Sequence, residues 1–436
     1  MPTVQEAVVV PAAPAATRRR AVLAVAGWCV LVAGCFLVGH SLRARGLMPI
    51  DELPPLHARL RDEAFSWQLL PAVAGAVAAI VVLPRFASTM RWRRLLLTCW
   101  LAATAWAVLL AVSDGPFWLL EPLTHDSEYL VVAEAVGSDP IGWLRGFADD
   151  VASYPTHVAG HPPLPVLVFW LPHALGLPTL PAAAAICIGL GSSGVAAVLV
   201  TARLLLDEDR ARVAAPYLVL APSALTVATS ADAMFLGVAA WGIALFALAS
   251  VRHSVALGLG AGVLLGALPF LSYGLLTLGA VAVAVLLLRP SRPAVVGAVA
   301  GAALVFAAFT GAGFWWPDGA LATHERWASG RGSDRPYWYV VVANFAVFAL
   351  ITGPAAGYAL TVARGRRLWL LVGSALLALA VLDVSGVTRL EVERIWLPFV
   401  PWVLLATSEI RSAPRVWLIA QVAVAVLVQA TVDLVW

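Results

Sequence analysis

Apolar runs of about 18 or more residues recur more than ten times along this chain, each about long enough to cross the hydrocarbon core of a bilayer. At mid-bilayer no water is present to satisfy the backbone, so only helices and closed barrels can span it, and these runs are too long and too continuously apolar for barrel strands. Composition agrees: 61% of the residues are apolar and 12% charged, against the roughly 25% charged that a soluble globular protein carries. The expected fold is therefore all-α, a polytopic transmembrane helical bundle in a lipid bilayer. Soluble enzymes and DNA-binding proteins are excluded, and a net charge of +3 gives no reason to expect a nucleic-acid partner.

The basic residues are all arginine, which excludes Schiff-base chemistry and any lysine-dependent phosphate loop. Cys29, Cys35, Cys99 and Cys187 sit inside apolar runs without metal-ligand spacing and read as small core residues. Thr17-Arg18-Arg19-Arg20 precedes the first apolar run, which lacks a small-residue cleavage site after it and reads as a retained signal anchor. Thirteen spans are expected, near 21–39, 66–84, 94–112, 180–202, 213–229, 232–250, 255–271, 273–288, 294–312, 339–362, 368–385, 396–408 and 415–435. If the dozen residues 165–176, which carry Pro172 and His173, form an interfacial helix instead of a span, alternation puts the arginine clusters on one side. Arg85, Arg91, Arg93 and Arg94, Arg203, Arg210 and Arg212, Arg252, Arg289 and Arg292, Arg364, Arg366 and Arg367, and Arg411 and Arg415 then join Arg18–Arg20, as the positive-inside rule requires.

The domain organisation expected is a disordered cytoplasmic N-terminus at 1–20, an N-terminal transmembrane pair at 21–93, a transmembrane core at 94–312 with an outer loop at 113–163, and a C-terminal transmembrane region at 313–436 with an outer loop at 313–338. Hydropathy shows no inverted repeat and no matched pair of broken helices, the usual pointers to a transporter. The loop 113–163 is the most polar stretch, with Asp114, Glu121, Asp126, Glu128, Glu134, Asp139, Asp149 and Asp150 against Arg145 alone. A loop this long on a rigid scaffold is where chemistry is sought first.

That loop reads Thr124-His125-Asp126-Ser127-Glu128-Tyr129 and ends His157-Val158-Ala159-Gly160-His161-Pro162-Pro163-Leu164. An acidic residue followed three positions later by Tyr, then His-Pro-Pro-Leu opening an apolar stretch, resembles the GT-C superfamily of membrane glycosyltransferases. That superfamily includes protein O-mannosyltransferases, lipid A aminoarabinose transferases and actinobacterial cell-envelope enzymes. The resemblance is strongest over residues 94–260 and departs from the family at the N-terminus, where the acidic motif follows the third span instead of the first. It implies a sugar donor carried on a polyprenyl phosphate, a glycan, lipid or protein acceptor, inverting transfer, and an active site on the extracytoplasmic side of the cell membrane.

On that resemblance Asp126 is the general base, with Glu128 the second candidate; two apart, they point to different sides of an extended chain. Tyr129 orients the acid or serves as an interfacial aromatic. His161 maps to a phosphate or divalent-metal contact, and otherwise simply ends the loop; His125 and His157 are weaker candidates. Asp232, at the outer start of a later span in Ser230-Ala231-Asp232, is the family's second carboxylate, against the alternative that Ser230 caps the helix and Asp232 complements its dipole. Near the C-terminus, Arg389-Leu390-Glu391-Val392-Glu393-Arg394 places two arginines on the outer side. Arg389–Glu393 and Glu391–Arg394 pairing is open to them if the stretch is helical, and Arg394 is the natural fork for a leaving phosphate. Tyr273 borders the acceptor or marks a simple turn. Asp51 and Glu52 offer a rival location for the catalytic acid. The alternative function is a transporter or flippase of lipid-linked saccharides.

Overall fold

The computed structural model describes residues 15–48, 50–62, 64–330, 334–389 and 391–434. The expected disorder before residue 15, and Leu390 in the C-terminal motif above, lie outside the described residues. The helices are α1 (Ala15–Ala44), α2 (Leu70–Thr89), α3 (Trp92–Ala111), α4 (Leu130–Ala135), α5 (Pro140–Asp150), α6 (Thr156–Ala159), α7 (Leu164–Ala174), α8 (Thr179–Leu205), α9 (Glu208–Val219) and α10 (Ala231–Arg252). They continue with α11 (Val255–Leu271), α12 (Gly279–Leu288), α13 (Arg292–Gly311), α14 (Trp316–Ala328), α15 (Tyr337–Thr352), α16 (Pro354–Val362), α17 (Arg366–Val384), α18 (Val392–Ile395), α19 (Val400–Leu404) and α20 (Pro414–Thr431). One short antiparallel pair, β1 (Ala58–Leu60) with β2 (Val432–Leu434), joins the loop after α1 to the end of α20. α1 begins at Ala15, so Arg18–Arg20 lie in its first turns and not in an unstructured tail.

Among the described residues, eight helices are long and apolar enough to cross a membrane: α1, α2, α3, α8, α10, α13, α17 and α20. The pair α15 and α16 makes a ninth if counted as one span, although it bends by 98°. The bend falls where Gly353 adopts φ +80° ahead of Pro354, a conformation a side chain would oppose, in place of the uninterrupted helix expected over 339–362. The rest of the thirteen expected spans fall on shorter or interrupted helices. α11 and α12 are below the length of a straight span, and 213–229 breaks at Pro222 into a 3-10 turn. Residues 397–409 alternate 3-10 turns with the five-residue α19 around Pro398 and Pro401. Such backbone is tolerated at membrane depth only inside protein, and Leu397, Phe399, Trp402, Val403 and Leu404 are all buried. α7 has 11 residues, roughly 16 Å of helix and about half the hydrocarbon thickness.

Close packing relies on small residues, since lipid supplies no hydrophobic drive between helices. Gly258, Gly262 and Gly266 of α11 lie against the backbone of Ala294, Ala298 and Ala302 of α13, and Gly297 and Gly301 return the contact. Gly191 of α8 and Gly237 of α10 pack in the same way. Cys35, Cys99 and Cys187 are buried as expected of core residues, while Cys29 is exposed.

Contacts between helix ends divide the bundle into two poles. At one, Arg212 donates to the carbonyls of Ala87 (2.6 Å) and Met90 (2.9 Å), Arg203 lies 4.6 Å over Trp92, and Arg210 pairs with Glu409 at 2.7 Å. At the other, Arg61 grips Asp114 through two 2.7 Å bonds, and Tyr337 donates to the Val384 carbonyl. The strand pair and the loop 113–163 belong to this second pole, and so does the candidate site.

Candidate functional site

Four separate segments meet at the second pole around one guanidinium. Arg394, 4% exposed on α18, donates from Nη1 to Asp232 Oδ2 (3.0 Å) and from Nη2 to Glu391 Oε2 (2.8 Å) and His157 Nε2 (2.8 Å). Because Arg394 can only donate, His157 Nε2 must accept, which leaves the ring proton on Nδ1. Nδ1 lies 2.6 Å from Glu128 Oε1. A chain of charge-assisted contacts thus runs Glu128, His157, Arg394, Asp232, with Glu391 as a side branch.

Each member is set by its local sequence. Ser230 is the N-cap of α10, its Oγ accepting from the Asp232 N–H at 3.0 Å and donating to Asp232 Oδ2 at 3.3 Å. The capping role weighed for Ser230 and the site role weighed for Asp232 therefore coexist. The His157 N–H donates to the Ser127 carbonyl (3.1 Å), which ties α6 to the acidic loop. One turn on, His161 Nδ1 donates to the His157 carbonyl at 2.8 Å. Burial lowers the His161 pKa and keeps the ring neutral. Its faces meet Tyr129 and Phe235, each 5.8 Å between centroids. Tyr129 is 1% exposed, packs on His157, His161 and Phe169, and its hydroxyl has no hydrogen-bond partner among the described residues. Burial first, then the charges of Asp232 and Glu128, push that phenol well above its ordinary pKa, so it remains a donor.

The acids are pushed apart. Burial works to raise the pKa of Glu391, but the Arg394 charge outweighs it and holds the group at about 2. Glu128 is likewise lowered against its own burial by the His157 contact. Glu393, buried on the same short helix, moves up because burial dominates. Glu391 itself occupies the left-handed region at φ +58°, which costs a non-glycine residue roughly 1–2 kcal/mol.

Five of the eight residues expected in the site come together here: Glu128, Tyr129, His161, Asp232 and Arg394. Asp126 is exposed in the turn two residues before Glu128. Arg389 is turned away, donating to the carbonyls of Arg335 and Gly386 (both 3.0 Å) and lying 5.2 Å over Trp327. Tyr273 packs edge-on against Trp316 of α14 at 5.4 Å, in a separate aromatic group. The Glu391–Arg394 pairing forms as the three-residue spacing allows. His161 does not fit the metal role weighed for it: its ring is enclosed by aromatics, and no group of three His, Cys, Asp or Glu side chains that could hold a metal occurs among the described residues.

The rival acid Asp51 is fully buried and accepts two bonds from Arg335, at 2.8 and 2.6 Å, which makes it a structural anion. His157, a weaker candidate by sequence, is the hub of the cluster. The signal that could have found it is its spacing of four from His161, which puts both rings on one face of a turn. Neither a scan against protein-family models nor a search of curated proteins returns a match for this chain.

Proposed function

We propose that this multi-pass membrane protein is an inverting glycosyltransferase that moves a sugar from a polyprenyl-phosphate donor to an acceptor hydroxyl. By the positive-inside rule the arginine-rich pole is cytoplasmic, and transfer occurs at the outer face of the cell membrane. The observation that carries this reading is the buried Arg394 held at the opposite pole by Glu128–His157 and Asp232, three segments that a mere loop closure has no need to converge. A desolvated guanidinium is suited to the charge that develops on a leaving phosphate, usually the largest catalytic contribution in such a transfer.

In the reaction, the acceptor O–H gives its proton to a carboxylate while its oxygen attacks the anomeric carbon. The bond from that carbon to the phosphate oxygen breaks, and its electron pair leaves on the phosphate toward Arg394. Asp126 is the proposed base. An exposed carboxylate can meet an acceptor arriving from water, whereas Glu128 and Asp232 are already engaged by His157 and Arg394. Within this reading His161, Tyr129 and the more distant Arg389 and Tyr273 shape the donor and acceptor surroundings.

Transfer of radiolabelled sugar from a panel of polyprenyl-phosphate donors, in membranes holding wild type or Asp126→Asn at matched levels, tests it. Label entering product only with wild type supports both reaction and base; equal transfer by both removes Asp126 and moves the role to Asp232 or Glu128.

A second reading, export of lipid-linked saccharides, is favoured by the two interrupted segments at 208–226 and 397–409, which pack against each other inside the bundle. The cavity between them, about 40 Å³ and lined by Leu218, Val219, Val400 and Leu404 among others, is apolar and too small for a saccharide. Intact export by Asp126→Asn would favour this second reading.

A further inference from the structure

Three groups accept from Arg394, and they are not equally fixed. Asp232 is buried in the first turn of a membrane-spanning helix and held by Ser230. His157 is pinned through Glu128 on one side and its backbone N–H on the other. Glu391 alone is local to Arg394 in sequence, with its side chain 26% exposed against 5% for its partner. It stands on a left-handed backbone at the start of a four-residue helix, so it can turn away without moving a transmembrane helix. A carboxylate and a phosphate oxygen accept the same guanidinium N–H groups.

We propose that Glu391 is a built-in stand-in for the anionic headgroup of the substrate: its carboxylate holds the place on Arg394 that a lipid-linked phosphate takes, and substrate binding displaces it. The inference rests on the reading of Arg394 as the phosphate contact. A second observation points to the same ligand. The Tyr129 hydroxyl is buried, lacks a partner among the described residues and lies within the field of Asp232, Glu128 and Arg394, so it is a donor waiting for an acceptor. A phosphate carries more acceptor oxygens than a carboxylate, and the carboxylates on Arg394 leave this hydroxyl without a bond. Charge balance argues likewise, because Arg394 already faces several acids and an incoming phosphate is accommodated only as one of them leaves. Glu391 stays ionised throughout the ordinary pH range, so the exchange is driven by the ligand and not by acidification.

The test is binding, which does not depend on knowing the sugar or the acceptor. Full-length protein in nanodiscs of neutral lipid is titrated with undecaprenyl phosphate, farnesyl phosphate and inorganic phosphate. Glu391→Gln is expected to bind undecaprenyl phosphate about tenfold more tightly than wild type, within the range of ordinary coupling between sites. Glu391→Gly, which suits the left-handed backbone, gives the same gain with the fold intact, and Tyr129→Phe weakens binding. A gain shared by inorganic phosphate assigns the site to the headgroup alone; one confined to the isoprenoid phosphates assigns it to the lipid. If both Glu391 variants bind no more tightly than wild type while Arg394→Gln abolishes binding, the displacement idea fails and the Arg394 reading stands. If wild type and every variant fail to bind any probe, both fall together.

Discussion

Replacing Arg335 by Met strips the cation from an acid with no access to water. Asp51 is 0% exposed and Arg335 7%, joined by bonds of 2.6 and 2.8 Å, and Arg335 also donates to the Arg389 carbonyl at 2.6 Å. The pair links residues 284 apart in sequence, fastening the loop after α1 to the segment that opens α15. Removing Arg335 leaves Asp51 with His57, 3.4 Å away, as its remaining partner, so the loss approaches that of a broken buried pair, about 3–5 kcal/mol, whereas replacing both partners with well-packed neutral groups is often nearly neutral. Arg335→Met and Asp51→Asn should each destabilise the protein strongly, and the double variant should recover most of the loss. Thermal unfolding in a single detergent, read by intrinsic tryptophan fluorescence, measures all four proteins as a double-mutant cycle. An additive cycle, with the double variant as unstable as the sum, would refute the assignment. So would a stable Asp51→Asn that lost sugar transfer, since Asp51 would then be acting as the catalytic acid.

Three further outcomes follow from the geometry. His57 has its pKa raised, chiefly by Asp51 Oδ1 at 3.4 Å, so its stabilisation is complete below its ordinary value near 6.5 and is lost as pH rises through the folded-state value; His57→Gln should flatten that limb of a stability–pH profile. Gly262→Leu forces a side chain into the Ala298 backbone and should cost roughly 1–3 kcal/mol or more, whereas Gly279→Ala, which meets open space, should change little; the same unfolding assay compares them. His157→Gln retains an acceptor for Arg394 and should keep a substantial part of any transfer activity that His157→Leu loses by 10-fold or more, about the cost of one unpaired buried charge-assisted bond; equal loss in both would mean the ring matters for packing alone.

The membrane character and helical class were legible because apolar length is a one-dimensional property, and the arginine clusters mark one pole for the same reason. Helix interruptions were less so. Hydropathy does not register Gly353-Pro354, Pro222 or Pro398 and Pro401 as breaks, since proline inside an apolar run leaves its average almost unchanged while removing a donor and obstructing the preceding turn. The interruptions at 213–229 and 397–409 were missed for that reason. At the site, Asp232 and Arg394 were visible as ionisable residues at the edges of spans, and Glu128 as one of a pair two apart. What sequence could not decide was which acid of that pair turns inward, because this depends on the turn closed by Glu128 N–H on the His125 carbonyl. His157 was hidden more deeply. Its role depends on contacts with Glu128 and with Arg394, which is 237 residues away.

The tautomer of His157 connects these observations. A histidine between a carboxylate and a guanidinium has one consistent arrangement: the proton toward Glu128 and the lone pair toward Arg394. Arg394 Nη2 lies 2.8 Å from Nε2 and can only donate to it, and Glu128 Oε1 lies 2.6 Å from the other ring nitrogen. Arg394 is thereby held by one neutral acceptor and two acids, and only one of those acids, Glu391, is attached to backbone that can turn without disturbing a long helix. A guanidinium held by three fixed anions would be a structural tie with no room for a ligand. One held on two sides by Asp232 and a neutral ring, with a replaceable carboxylate on the third, keeps its position and its burial while exchanging a single partner, as the proposed binding and release of an anionic headgroup requires.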